Sequence, residues 1–107
     1  MELNEYQDRA RETDVAAEHG LPYYALGLAG EAGEIANEVK KMLRDDGGKF
    51  TADRREHLRD EVGDALWYAA MLADHLGCSL DSIAERNLRK LDSRRKRGML
   101  SGSGDER

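Results

Sequence analysis

The sequence predicts an all-α fold of about four helices, completed by association of identical chains. Three observations carry this expectation. Ala, Leu, Glu and Arg, all good helix formers, dominate the composition, and there is one proline in 107 residues. Apolar residues recur in steps of three and four along two long stretches, the period of a helix with one buried side. Start and stop signals bracket four segments. A chain this short forms one domain at most. Four amphipathic helices alone leave apolar surface that further copies can cover, so a homodimer or homotetramer is expected.

Asn4 and Gln7 stand in the relation of a capping box and would open a short polar helix reaching Val15 or Ala17. The stretch "EHGLP" interrupts it, and Pro22 suits the first turn of a second helix. Tyr24, Leu28, Ile35, Val39 and Met42 give that helix its apolar side, and Gly47 and Gly48 end it after roughly 22 residues or more. Thr51 can cap a third helix through "LRDEVGDALWYAAMLADHL", stopped by Gly77. Leu58, Val62, Ala65, Ala69, Leu72 and Leu76 form its expected core stripe. Ser79 can cap a fourth, with Asp81 in its first turn, ending at Gly98. Residues 1–98 are thus expected to form the domain and "MLSGSGDER", residues 99–107, a disordered tail.

The formal charge of −5 argues against a stable nucleic-acid partner, because phosphate neutralisation needs a basic surface. One cysteine, Cys78, excludes an intramolecular disulfide and a cysteine-cluster zinc site, and reads as a small buried apolar residue in a reducing compartment. No stretch approaches ~20 apolar residues and the N-terminus is charged from Glu2, so neither a membrane span, a membrane partner nor a signal peptide is expected. The expected location is cytoplasmic.

The stretch "GLAGEAGEIANEVKK", residues 27–41, places Glu31, Glu34 and Glu38 along one side of the second helix. The third helix echoes it: "LAGEAGEI" and "LRDEVGDA" share the form Leu-x-x-Glu-x-Gly-acid-apolar, which sets Glu31 and Glu34 in the places of Glu61 and Asp64. At ~100° per residue both acidic pairs flank the core stripes. A solvated face is the simplest account of exposed carboxylates. Against it, positions three and four away from Glu31, Glu34, Glu61 and Asp64 hold no Lys or Arg, and only His57 could offset charge. Like charges at such spacings cost a few tenths of a kcal/mol each, and more where water is excluded. Hard divalent cations would compensate, and Mg²⁺ suits carboxylate oxygens and bridges readily to polyphosphates. A di-iron arrangement needs Glu-x-x-His, which is absent.

On the fourth helix Ile83, Asn87, Lys90 and Arg94 follow four-three-four spacing, so an amide and two cations extend a line begun by an apolar residue. They reach inward either as functional groups or as packed alkyl stems. Gly33 and Gly63 project away from the acids and suggest close helix packing, whereas Gly27, one turn before Glu31, could leave room for a ligand. Tyr23, Tyr24, Trp67 and Tyr68 are candidates for a base pocket, although packing accounts for each, and Trp67 could instead meet another copy.

Glu31-x-x-Glu34, then Glu61-x-x-Asp64, followed by Asn87-x-x-Lys90 and Arg94, resembles the MazG-like nucleotide pyrophosphohydrolases over residues 22–97. The resemblance implies an all-α, Mg²⁺-dependent enzyme, with Mn²⁺ as a substitute ion, that cleaves a nucleoside triphosphate to its monophosphate and pyrophosphate. It implies that Glu31, Glu34, Glu61 and Asp64 hold metal ions, with Glu38 as a further ligand, while Lys90 and Arg94 bind phosphates with help from Asn87. Glu34 is the expected general base toward the attacking water. A role in nucleotide-pool cleansing fits. Two alternatives stay open: phosphoribosyl-ATP pyrophosphatase activity with comparable acids, and a noncatalytic helical oligomer whose acidic groove binds partners through metal.

Overall fold

The computed structural model describes residues 1–98, 102 and 104; the expected disordered tail otherwise lies outside the described residues. The described chain is all-helical: α1 (Leu3–Arg11), a 3₁₀ turn (Ala17–His19), α2 (Leu21–Asp45), α3 (Ala52–His75) and α4 (Leu80–Lys96). None of these helices is long and apolar enough to cross a membrane. The long helices α2 and α3 pack as an antiparallel hairpin, and α1 and α4 pack on each other and on α3.

Most boundaries follow the local signals. Pro22 lies in the first turn of α2. Thr51 Oγ1 accepts from Arg54 N at 3.2 Å and Ser79 Oγ from Ser82 N at 3.1 Å, so both caps satisfy an orphan amide. Gly77 stops α3 with φ +72°, a left-handed conformation that costs a side-chain-bearing residue more than glycine.

The first helix departs from expectation. It ends at Arg11, short of Val15, and its N-cap is Glu2 with no side-chain cap. Asn4 and Gln7 do not form a capping box: Asn4 Oδ1 accepts from Asp81 N at 3.1 Å, and Gln7 Oε1 accepts from Leu80 N at 2.9 Å. The Gln7 amide also donates to Cys78 O at 3.1 Å and Ala70 O at 3.3 Å. Gln7 is 3% exposed, so one polar side chain from α1 satisfies the buried backbone where α3 turns into α4.

The core gathers Ala10, Tyr24, Ala70, Met71 and Leu80, bordered by Tyr6, Trp67, Tyr68 and Leu72. On α3 the most buried positions are Ala70, Met71 and Ala73, while Val62 and Leu76 of the expected stripe are each 56% exposed. No residue of the expected stripe is buried in this chain, and of its members Leu72 borders the core, because the buried side of α3 is set by Ala70, Met71 and Ala73. Gly33 and Gly63 likewise face open space within the chain, so close packing inside it does not account for them. Cys78 is exposed rather than buried, because the α3–α4 turn holds it at the surface.

Candidate metal centre

The α2–α3 hairpin sets the two acidic motifs opposite each other. Glu31, Glu61 and Asp64 each offer a carboxylate oxygen, all within 4.8 Å of one another. Glu31 and Glu61 are half-buried and Asp64 is exposed, so the group opens to solvent at one edge. The carboxyl of Glu31 is raised to about 7, first by a hydrogen bond with Glu61, then by desolvation and by the charges of Asp64, Glu61 and Glu34. Close carboxylates that cannot all ionise retain a proton, and a divalent cation can replace it. All-oxygen donors with an open side match Mg²⁺ or Mn²⁺ better than zinc or iron.

Glu34 is exposed and stands outside this trio, though its charge is felt at Glu31. Glu38 is turned to other work. Its Oε2 lies 3.1 Å from Arg54 Nη1 and 3.6 Å from His57 Nδ1, and Arg54 Nε also reaches Asp46 at 2.8 Å. Arg54 therefore joins the end of α2 to the start of α3. His57 is 61% exposed at its side chain and faces Glu38.

On α4, Asn87 and Lys90 line a cavity of about 400 Å³ together with Ile83 and Arg86. Arg94 is 3% exposed, whereas Asn87 is open. No acid of the trio lines that cavity.

The rings divide by packing. Tyr24 is fully buried and its hydroxyl donates to Asp14 at 2.6 Å; burial first, and then this bond, pushes the phenol upward. Gly27 leaves no ligand space: a β-carbon there would overlap the Tyr68 ring, so the glycine admits Tyr68 against α2. Trp67 makes its contact inside the chain, donating from Nε1 to Thr13 Oγ1 at 2.8 Å and tilting against Tyr24 at 6.1 Å between centroids. Sequence reasoning missed Tyr6, whose phenol is raised by burial and by the charge of Asp64. Its place on a separate short helix gave no signal beyond an isolated aromatic.

The family model for the MazG nucleotide pyrophosphohydrolase domain matches residues 22–99, which span the acidic hairpin and α4. The chain belongs to this family. Curated relatives of this MazG chain include the Gene 37 protein of Mycobacterium phage L5, 46% identical over 114 residues and covering all of both chains. The uncharacterised protein YvdC of Bacillus subtilis (strain 168) is 32% identical over 68% of this chain and 74% of its own. YpjD of the same organism, also uncharacterised, is 33% identical over 64% and 61% respectively. No solved structure matches significantly.

Proposed function

We propose that this MazG domain is a nucleoside triphosphate pyrophosphohydrolase that releases pyrophosphate and a nucleoside monophosphate. The observation that carries the reading is the convergence of Glu31, Glu61 and Asp64 from two helices, within a chain of this family. Three carboxylates repel a polyphosphate unless cations intervene, so the site suits a substrate that arrives with Mg²⁺.

Glu31, Glu61 and Asp64 would hold Mg²⁺, with Glu34 able to turn in from its exposed position beside them. Bound there, Mg²⁺ supplies the positive charge that the phosphate chain and its transition state require. The protein's own groups do the rest. Glu34 takes the proton of a water that attacks phosphorus; the new P–O bond forms as the bridging P–O bond to pyrophosphate breaks. Asn87 and Lys90 donate to phosphate oxygens, and Arg94 contributes charge from its buried place on α4. The phosphate site would be completed in an assembly of copies, in which nucleotide-pool cleansing is the fitting role.

A panel of canonical and modified nucleoside triphosphates and phosphoribosyl-ATP tests this, scored for monophosphate and pyrophosphate with Mg²⁺, Mn²⁺ or chelator. Glu61→Gln is expected to lower kcat/KM at least ~100-fold, the order lost when one preorganised electrostatic group is removed. Preferential cleavage of phosphoribosyl-ATP would redirect the assignment, and a wholly intact panel would favour a noncatalytic metal-dependent binding module.

A further inference from the structure

The acidic trio lies part-way along the α2–α3 hairpin, and the two directions away from it differ in chemistry. Toward the connecting turn stand the polar groups Glu38, Arg54 and His57. Toward α1 stand rings: Trp67 and Tyr68 meet edge to face at 5.1 Å, and Tyr23 and Tyr24 at 5.2 Å. A nucleotide has the same polarity, with phosphates at one end and a flat ring at the other.

Most of those rings are already committed. Tyr24 is fully buried, and Tyr68 fills the space over Gly27. What stays open is a cleft of about 460 Å³ between α1 and α3, whose lining includes Tyr6, Arg9, Glu12 and Trp67. That volume falls among small-molecule sites. Trp67 follows Asp64 by three residues, ~4.5 Å along the helix axis, and Tyr6 lies close enough to Asp64 to feel its charge. The indole N–H is taken by Thr13, so the ring face is what Trp67 offers a ligand.

We propose that this α1–α3 cleft receives the nucleobase of the substrate, stacked on Trp67 and Tyr6, with Arg9 and Glu12 meeting the edge of the base. The inference rests on the hydrolase reading above and adds where the base lies. Ring faces accept any base, so the cleft is permissive in stacking and selects only through Arg9 and Glu12.

Trp67 is the one tryptophan in the sequence, so its fluorescence reports on the cleft directly. The full chain with Mg²⁺ is titrated with α,β-methylene nucleoside triphosphates of four bases and with inorganic tripolyphosphate, with calorimetry in parallel. The nucleotides are expected to change Trp67 emission and tripolyphosphate to bind without doing so. Tyr6→Ala should weaken nucleotide binding about tenfold and leave tripolyphosphate unchanged. Should that variant not fold, a double Arg9→Ala, Glu12→Ala variant at exposed positions should alter the ranking of the four bases, again without affecting tripolyphosphate. Nucleotide binding with silent Trp67 emission and unaltered affinities in the folded variants overturns the placement and spares the hydrolase reading. No binding of nucleotide or tripolyphosphate overturns both.

Discussion

Glu31 is the residue at which the site's chemistry concentrates. Its carboxyl, ordinarily at 4.5, is raised to about 7 chiefly by the bond to Glu61, so the folded chain binds a proton there more tightly than the unfolded chain. Between these two values the native state holds more protons, and stability must fall as pH rises through the window. Solvent screening at this open site reduces the effect to ~1 kcal/mol, or ~4–8 °C in Tm. Metal-free protein is therefore expected to melt several degrees lower at pH 8 than at pH 5 on this account, and Mg²⁺ should recover the difference at pH 8. Calorimetry of wild type and Glu31→Gln separates this group from the rest, since the variant should lose most of the Mg²⁺ response. The density of acid around Glu31 was legible in the sequence because it follows from spacing alone. The close approach of Glu61 to Glu31 was not, nor the outward turn of Glu34, since both depend on side-chain rotamers and on the approach of a second helix. Gly27 was misread for the same reason: the ring it accommodates comes from position 68, across the hairpin.

Among the elements, α2, α3 and α4 were legible nearly to their ends because their caps and stops are local: Thr51, Ser79, Gly77 and Pro22 act on amides or torsions a few residues away. The short helix α1 was not. Asn4 and Gln7 carry the same letters as a capping box, but their side chains serve backbone groups more than seventy residues away at the start of α4. Arg11 adds a two-point ion pair to Asp74, with distances of 2.6 and 2.7 Å, which holds the Asp74 carboxyl below its usual range. A helix of 9 residues has little stability of its own, so these contacts decide where it docks. Gln7→Ala should strand the amide of Leu80 and the carbonyl of Cys78, destabilising by about 2 kcal/mol and lowering Tm by roughly 8–16 °C. Thermal unfolding reads this directly, and hydrogen exchange should show faster opening at the α3–α4 turn than in the middle of α2. An unchanged Tm would mean that water replaces Gln7 at no cost.

At the scale of the molecule, the period of the apolar residues and their burial disagree, and the disagreement has a direction. Tyr24 and Met71 are the only large side chains fully buried among the described residues, whereas Phe50, Val62 and Leu66 remain 42–56% exposed. These three line one groove of about 870 Å³ on α3, where Gly63 also faces open space. The groove's rim carries Arg55, Arg59 and Glu56, charges of both signs, which suits a surface that must meet itself across a two-fold axis. A contiguous apolar groove on so small a domain is best covered by a second copy, and α3 carries Glu61 and Asp64 beside it, so assembly would also stiffen the acidic site. Wild type is accordingly expected to run as a dimer or tetramer in light scattering. Leu66→Glu would bury an unpaired charge at the contact and should weaken association by more than ~30-fold, giving monomers at micromolar concentration. Helix content should persist in that variant, because Leu66 lies outside the core built around Tyr24 and Met71. A monomeric wild type, or a Leu66→Glu chain that assembles unchanged, would assign the groove to some other occupant.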